Sequence, residues 1–308
     1  MRVSLGLPTH RVDLGAEFVS AHAITEASVA AEEAGFDAVF VTDHPFPPAA
    51  WLDKGGHHAL DPLVSLSFVA AATTRLRLQT NLFVPAYRNP FLAAKMISTL
   101  DTLSGGRVIL GVGAGYLEDE FTALGADFEH RNDLLDQALI AMKEAWTGNV
   151  VTFDRGSFKA LSNVMLPIPA QRPHPPIWIG GNSKRAIRRA VELADGWIPM
   201  PSPAKASGLL RTPGLETLAD LRDRLDYAGE HAATVGRTKP LEVAFMPAGL
   251  SMFSTEPVKA QAVIEGIEAM AKVGVTYATV TSAAESRAEL MAFIKVFAED
   301  ILPAVESM

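Results

Sequence analysis

The sequence contains no cysteine. This absence excludes disulfides, thiolate metal ligands and a cysteine nucleophile, and it fits a protein of the reducing cytoplasm. Basic residues are fewer than acidic ones, 27 against 35, and no basic cluster offsets the resulting net charge of −8. Nucleic acid is therefore not an expected partner.

Long apolar runs are missing as well. No segment approaches the roughly 20 consecutive apolar residues that span a bilayer, so no membrane association is expected. The first eight residues (MRVSLGLP) lack the apolar stretch of a secretory leader and predict a strand instead. The chain also has no short-period repeat and no low-complexity segment, which leaves an ordinary globular protein with a predicted cytoplasmic location.

The sequence alternates short apolar runs, rich in β-branched residues, with amphipathic helices. Eight strands are predicted, at residues 3–7, 37–42, 76–82, 107–113, 176–179, 196–200, 241–246 and 275–281. The second strand is apolar on both faces, as buried parallel strands are. Eight such units favour an α/β fold of one domain over residues 1–308, a closed (β/α)8 or TIM barrel, rather than an open sheet.

Three stretches interrupt the alternation and predict insertions after strands two, four and six. Residues 43–60 form a long polar and aromatic loop. Residues 149–175 combine a small hairpin, turning at residues 154–156, with a stiff proline-rich crossing. Residues 201–214 are rich in Pro, Gly and Ser and are predicted to be mobile.

The strand ends supply the candidate site residues, because the active sites of such barrels lie at the carboxyl ends of the strands. The second strand ends in Thr42-Asp43-His44, where a carboxylate beside an imidazole could hold one tautomer for proton transfer. Alternatively, Asp43 caps the turn and His44 only lines the loop. The third and fourth strands deliver further candidates at their ends: Thr80, Asn81, Leu82, Gly115, Tyr116 and Asp119.

A second candidate feature is the turn Gly180-Gly181-Asn182-Ser183, which leads from the fifth strand directly into a helix. Glycines allow close approach of a ligand, and the free N–H groups of a helix start can bind a phosphate. Alternatively, this is a tight turn in which Asn182 or Ser183 caps the helix. The residues alone leave both interpretations open.

Other patterns carry less chemistry. The glycines of residues 111–115 resemble a dinucleotide loop only weakly, and we interpret them as letting the backbone pack against a flat ring. His57 and His58 lack convergent partners at metal-binding spacing, so no metal site is predicted. No GxSxG motif is present, and an acyl-transfer triad has no support.

With these residues in view, the chain resembles the bacterial luciferase-like family of flavin and deazaflavin (β/α)8 oxidoreductases. The matching stretches are residues 33–44 (EAGFDAVFVTDH), 88–95 (RNPFLAAK), 99–115 (TLDTLSGGRVILGVGAG), 176–181 (PIWIGG) and 194–197 (ADGW). Residues 43–48 (DHPFPP) and 55–58 (GGHH) are similar to the branch that uses coenzyme F420.

The resemblance implies an activity: hydride transfer between C5 of the deazaflavin F420 and a small organic substrate, by a homodimer. His44 is the implied proton donor, with Asp43 orienting it beside the ring, and the Asn81–Leu82 bond matches a non-proline cis peptide. Sugar-phosphate dehydrogenases of the family carry a Glu where this chain has Tyr116, which argues against that substrate and leaves open whether Tyr116 or His44 handles protons.

The remaining implied contacts involve the cofactor. Asp119 matches a position at the ring edge, and the phosphate is assigned to Gly180, Gly181, Asn182 and Ser183. The full expected cofactor-binding set is Asp43, His44, Thr80, Asn81, Leu82, Gly115, Asp119, Gly180, Gly181, Asn182 and Ser183. Two alternatives share the fold: an FMN-dependent two-component monooxygenase, and a non-catalytic protein that binds a flavin or deazaflavin.

Overall fold

The computed structural model describes residues 1–250, 257–306 and 308, and eight parallel strands close into a barrel. The barrel strands are β1 (Arg2–Gly6), β2 (Ala38–Val41), β3 (Arg77–Thr80), β4 (Val108–Val112), β7 (Ile177–Gly180), β8 (Gly196–Ile198), β9 (Glu242–Phe245) and β10 (Tyr277–Thr281). Around the wall they follow the order β1-β10-β9-β8-β7-β4-β3-β2. The predicted TIM barrel is confirmed.

Helices surround this wall. They are α1 (Ala21–Ala34), α2 (Ala49–Leu52), α3 (Pro62–Ala72), α4 (Pro90–Leu103), α5 (Glu118–Ala123), α6 (Arg131–Ala145), α7 (Lys184–Leu193), α8 (Ser207–Leu210), α9 (Leu218–Thr234), α10 (Ala260–Lys272), α11 (Arg287–Val296) and α12 (Leu302–Val305). A π-helical turn, Phe297–Ile301, joins the last two. None of the described helices is long and apolar enough to cross a membrane.

Local chemistry explains where several helices begin and end. Asp61 and Asn89 cap α3 and α4 by accepting two backbone N–H groups each, and a proline follows each cap, as predicted. Gly35 ends α1 in the left-handed conformation, at φ 96°. These signals lie within a few residues of the chain and are therefore readable without tertiary contacts.

The barrel interior is filled by side chains rather than left open. One buried cluster draws a residue from each of six strands: Ala38, Ile109, Trp178, Ile198, Ala244 and Tyr277. The rings of Trp178 and Tyr277 meet edge to face at 4.8 Å. A Cβ on Gly196 would lie 2.5 Å from the Trp178 ring, so the start of β8 must be glycine for the indole to fit.

The predicted interruptions take definite shapes. The loop after β2 contains α2. An antiparallel hairpin, β5 (Val151–Arg155) with β6 (Phe158–Asn163), follows α6 and packs on it, and its turn lies at residues 156–157 rather than at the predicted 154–156. The segment after β8 holds a short 3-10 turn (Ala204–Ala206) and α8, and Ser202 pairs with Leu215 across its base.

The third strand ends at Thr80, two residues earlier than predicted, and the Asn81–Leu82 peptide bond is cis. The Leu82 side chain then covers the mouth of the barrel. Cβ atoms on Gly180 and Gly113 would lie 2.0 Å and 3.0 Å from its Cδ1. Gly113, just after β4, and Gly180, at the end of β7, therefore make room for the Leu82 side chain.

We predict that Gly111→Ala destabilises the barrel. Its Cβ would lie 2.1 Å from the Thr80 backbone oxygen, in a buried strand that has no free space. The free energy of unfolding should fall by about 1–3 kcal/mol in urea denaturation.

The matched control is Gly229→Ala, on an exposed position of α9 where a Cβ meets nothing within 4 Å. This change should raise the free energy of unfolding by about 0.5–1 kcal/mol, since alanine favours helix. Equal effects of the two substitutions would contradict the packing described for β4.

Candidate functional site

The predicted strand-end residues meet at one mouth of the barrel. Asp43 and His44 follow β2, the Asn81–Leu82 bond follows β3, and Tyr116 follows β4. Asp43 accepts the backbone N–H of Val84 at 2.9 Å, and Leu82 packs over Gly180 at the end of β7. The ends of strands β2, β3, β4 and β7 therefore converge on one site.

Asp43 has a different partner from the one predicted. Its two oxygens accept a bidentate pair from Arg88, at 2.7 and 2.8 Å, and the carboxylate is buried. Burial works against the charge of Arg88, but the Asp43 carboxylate more than offsets it and raises the pKa of Arg88. Asp43 therefore ties the loop after β2 to the loop after β3 and does not orient the imidazole of His44.

Glu120 of α5 takes the place expected of Asp43. Its Oε2 lies 3.3 Å from Nδ1 of His44 and accepts the Tyr87 hydroxyl at 2.8 Å, while its Oε1 accepts the Phe46 N–H at 2.9 Å. The residue is completely buried. On its other side, Nε2 of His44 lies 3.4 Å from the Tyr116 hydroxyl. Glu120, His44 and Tyr116 thus form a linear chain of polar contacts.

The protonation states along this chain follow from its surroundings. Burial would raise the pKa of Glu120, yet the hydrogen bonds from His44, Phe46 and Tyr87 together hold it below its usual range. An ionised Glu120 only accepts, so the proton of His44 belongs on Nδ1. Burial and the Glu120 charge raise the pKa of Tyr116 to about 12, so its hydroxyl is protonated and donates to Nε2.

Aromatic rings enclose the imidazole of His44. Trp51 of α2 lies 4.8 Å away between ring centroids, and His57 meets it edge to face at 5.0 Å. His10, from the loop after β1, continues the group at 5.3 Å from His57. A Cβ on Gly56 would lie 2.4 Å from the Trp51 ring, so this glycine permits the loop to fold over the indole.

The two outer histidines are held neutral. Burial, reinforced by the neighbouring His57 and Arg11, lowers the pKa of His10 to about 4. Burial also lowers the pKa of His57. Among the described residues, no group of three or more His, Asp or Glu side chains is arranged to hold a metal ion. The histidines form part of an aromatic enclosure around the Tyr116–His44 pair.

Unpaired polar atoms at the barrel mouth fit a planar heterocycle. Oγ1 of Thr42, Oγ1 of Thr281 and Nε2 of Gln79 are buried and have no hydrogen-bond partner among the described residues. All three residues lie at or near the carboxyl ends of their strands, β2, β10 and β3. Unpaired buried polar groups are costly, and a ligand with ring carbonyl and N–H groups would satisfy them.

The turn after β7 is only partly available to a phosphate. The Gly181 N–H bonds to Ile198, and the Asn182 N–H bonds to Oγ1 of Thr212 at 2.8 Å. Ser183 caps α7 by accepting the Ala186 N–H. The N–H groups of Lys184 and Arg185, at the start of α7, have no such partner among the described residues. The part of this turn that could bind a phosphate is therefore Ser183 and the first turn of the helix.

Asn182 anchors the segment after β8. Its side chain is fully buried, donates to the carbonyls of Met200 and Pro213, and accepts the Met200 N–H, all at 2.8–2.9 Å. Arg224 donates to its backbone oxygen. The segment predicted to be mobile is therefore held at both ends by the Asn182 side chain. The amide of that side chain is occupied by these bonds and is not available to a cofactor.

Two other predicted cofactor residues make contacts within the scaffold, and a third is exposed. The Thr80 hydroxyl donates to the Gly111 carbonyl at 2.7 Å. Gly115 has φ 79°, and a Cβ there would lie 2.6 Å from the Phe121 ring. Asp119 is exposed on α5, while its neighbour Glu120 points into the site.

The sequence did contain a signal for Glu120. Three consecutive acids, residues 118–120, stand near the start of α5, so composition alone cannot choose among them. The apolar residues Leu117 and Phe121, four positions apart, define the inner face of that helix by their spacing. Glu120 lies three residues after Leu117 and therefore shares that face. Tyr87 and Arg88 had no comparable signal, since their partners are distant in sequence.

Comparison with known proteins agrees with the family resemblance described in the sequence analysis. The model of the luciferase-like monooxygenase family matches residues 1–295. The F420-dependent glucose-6-phosphate dehydrogenase of Microbacterium testaceum is 32% identical over 73% of this chain and 64% of its own length.

Two solved structures share the fold. The coenzyme F420 dependent tetrahydromethanopterin reductase from Methanopyrus kandleri superposes with a TM-score of 0.74 at 16% identity, covering 98% of each chain. The oxygenating constituent of 3,6-diketocamphane monooxygenase from Pseudomonas putida, in complex with FMN, gives 0.78 at 16% identity and the same coverage. At such identities these likenesses establish the fold alone.

We predict that Asn182→Ala loosens residues 201–214. The change removes three buried hydrogen bonds and leaves their backbone partners unpaired, a cost of about 1–3 kcal/mol. Limited trypsin digestion should cut at Lys205 or Arg211 roughly tenfold faster. The exposed Asn149→Ala serves as control and should leave the cleavage rate unchanged; an unaltered rate in Asn182→Ala would contradict the anchoring role.

We also predict that His10 makes the fold acid-sensitive. Its folded-state pKa of about 4 lies below the ordinary 6.5, so the unfolded chain binds more protons between these values and stability falls as pH drops through that window. When the pH is lowered from 7 to 5, the free energy of unfolding of the parent should fall by roughly 1–2 kcal/mol more than that of His10→Gln. The exposed His22→Gln is the control and should track the parent.

Proposed function

The chain belongs to the luciferase-like monooxygenase family, and from this premise we propose that it is an oxidoreductase that uses coenzyme F420 to transfer a hydride to or from a small organic substrate. The observation that carries the proposal is the Glu120–His44–Tyr116 chain at the barrel mouth, beside Leu82 and its cis peptide bond. Support for the cofactor comes from the F420-dependent dehydrogenase at 32% identity.

The proposed cofactor site uses two groups of residues. Leu82 and the unpaired polar atoms of Thr42, Gln79 and Thr281 would hold the heterocycle. Ser183 and the first turn of α7 would hold the phosphate. When bound, a deazaflavin supplies two-electron hydride chemistry, and the protein supplies binding, orientation and electrostatics.

The chain's own residues manage the proton. Tyr116 would contact the substrate oxygen, and its hydroxyl would exchange a proton with that oxygen. His44 Nε2 faces the same hydroxyl and would take up or return the proton. Glu120 is a positioning residue: it keeps the Nδ1 proton in place and leaves Nε2 directed at Tyr116. The proton exchanged at the Tyr116 hydroxyl and the proton held on Nδ1 of His44 therefore both lie within the Glu120–His44–Tyr116 row of contacts.

Three further expectations stay predictions: that residues 1–308 act as one domain, that two copies associate, and that the protein is cytoplasmic. The FMN-dependent monooxygenase and the non-catalytic binding protein are the competing functions, and the experiments below separate them.

The cofactor is tested by titrating the purified protein with F420 and, separately, with FMN, following quenching of each cofactor's own fluorescence. We expect F420 to bind at least about tenfold more tightly, a difference of about 1.4 kcal/mol. Tighter binding of FMN would overturn the cofactor assignment and favour the monooxygenase. Ser183→Asp should weaken F420 binding, because a carboxylate at the helix start repels the phosphate.

The proton chain is tested with Tyr116→Phe and Glu120→Gln in F420-dependent turnover. Each should lower kcat by roughly 10²-fold or more while the dissociation constant of F420 stays unchanged, since neither side chain holds the cofactor. Tyr227→Phe, whose hydroxyl accepts a hydrogen bond from Arg188 away from the barrel mouth, is the matched control and should behave as the parent. Unchanged kcat in Tyr116→Phe would show that the hydroxyl has no catalytic part.

A further inference from the structure

We propose that the substrate is an uncharged, flat organic molecule with a carbonyl group, or the corresponding alcohol, and not a phosphorylated or otherwise charged compound. This inference rests on the proposed function, because it places the substrate oxygen at the Tyr116 hydroxyl. It depends on which charges and which surfaces surround that hydroxyl.

The four loops that follow β1, β2, β3 and β4 contain three basic residues besides histidine. Arg11 pairs with Asp13 at 3.0 Å, and Arg88 pairs with Asp43. Only Lys54 is left, and it is exposed in the loop after β2. A phosphate or carboxylate on the substrate would therefore meet no available guanidinium among these four loops. In the loop after β8, Arg211 already contacts Glu118 at 3.6 Å and Lys205 is exposed, so the charge of a bound anion would be poorly compensated.

The acidic groups disfavour charge of either sign. Glu120 stands one imidazole away from the Tyr116 hydroxyl, so an anionic substrate would be placed close to a buried negative charge. A cationic substrate gains no ion pair from Glu120, because its two oxygens already accept contacts from His44, Tyr87 and Phe46. The Asp43 carboxylate is similarly occupied by Arg88.

The surfaces around the hydroxyl are ring faces and edges. Trp51 lies 6.3 Å from Tyr116 between centroids, and His57 lies 5.4 Å from Trp51. His10 and His57 have lowered pKa values, so these rings are uncharged at neutral pH. Flat rings bind other flat rings by stacking and edge contacts, which favours an aromatic or conjugated substrate.

The step balances with the reductant named above. Reduction of a carbonyl adds one hydride to its carbon, supplied by reduced F420, and one proton to its oxygen, supplied by the Tyr116 hydroxyl. The C=O double bond becomes a C–O single bond, the carbonyl is reduced by two electrons, and the deazaflavin is oxidised by two. The Tyr116 phenolate then takes up a proton from solvent, with Nε2 of His44 as the group that can pass it on, and the reverse sequence oxidises the alcohol.

The test uses three probes that share the ring and the aldehyde and differ in the para substituent, which is hydrogen, a carboxylate or a trimethylammonium group: benzaldehyde, 4-carboxybenzaldehyde and 4-(trimethylammonio)benzaldehyde. Binding is measured without cofactor, through quenching of Trp51 fluorescence, since the other three tryptophans are buried. Trp51→Phe keeps a ring in place and should abolish the signal. Turnover is measured separately, as oxidation of reduced F420 in the presence of each probe.

We expect benzaldehyde to bind and to turn over at least about tenfold better, by dissociation constant and by kcat/KM, than either charged analogue. Tyr116→Phe should lower turnover of benzaldehyde by roughly 10²-fold or more and weaken its binding by no more than about tenfold, since one hydrogen bond to the substrate is lost. Glucose 6-phosphate with oxidised F420 should give no turnover. Equal or better handling of a charged probe, turnover of glucose 6-phosphate, or no response to any of the three aldehydes would overturn the inference.

Lys54→Ala is the matched control for the charge argument. It should leave kcat/KM for 4-carboxybenzaldehyde unchanged within about twofold, because an exposed lysine contributes little. A larger fall would show that Lys54 recruits anions and would overturn the inference. Failure of F420 to bind, with the neutral probe still preferred by Trp51 quenching, would overturn the proposed function and leave the substrate class standing.

Discussion

The carboxyl end of the barrel is organised around one buried carboxylate, that of Glu120. Its three partners come from two different parts of the chain: an imidazole and a peptide N–H after β2, and a phenol after β3. Leaving any of these donors unpaired in a completely buried site would be costly, so the two segments are fixed relative to α5. The tautomer of His44 and the direction of its free nitrogen follow from this single requirement.

The second buried carboxylate, Asp43, does a different job although it is the direct neighbour of His44. Its bidentate pair with Arg88 and its bond to the Val84 N–H fix the loop that carries the Asn81–Leu82 peptide. The Asp43 carboxylate thus fixes the position of the Leu82 side chain, and the Glu120 carboxylate determines which nitrogen of His44 carries the proton. Two adjacent residues that follow β2, Asp43 and His44, connect these two arrangements.

The sequence predicts the architecture well because its signals are local. Apolar runs of strand length, the Asp61 and Asn89 caps and the Gly35 stop all act within a few residues. Strand-end position correctly selects Asp43, His44 and Tyr116 as neighbours at the barrel mouth. The partners of these residues could not be predicted in the same way, because the Asp43–Arg88 and His44–Glu120 contacts join segments 45 and 76 residues apart.

The turn after β7 shows the same limit. Its glycines and Asn182 resemble a ligand-binding loop, but the Asn182 side chain is committed to Met200 and Pro213. Nothing in the local sequence distinguishes an asparagine that binds a ligand from one that binds its own backbone. The resemblance to a family supplied what local patterns could not, including the cis bond between Asn81 and Leu82.

The rings that surround the Tyr116 hydroxyl are concentrated in one segment of the sequence. Trp51, Gly56 and His57 all lie within residues 49–60, after His44 and before α3, whereas Arg88 and Glu120 come later in the chain. Selection, or a protein engineer, can therefore exchange residues 49–60 and change which molecules enter, while His44, Glu120 and Tyr116 stay in place.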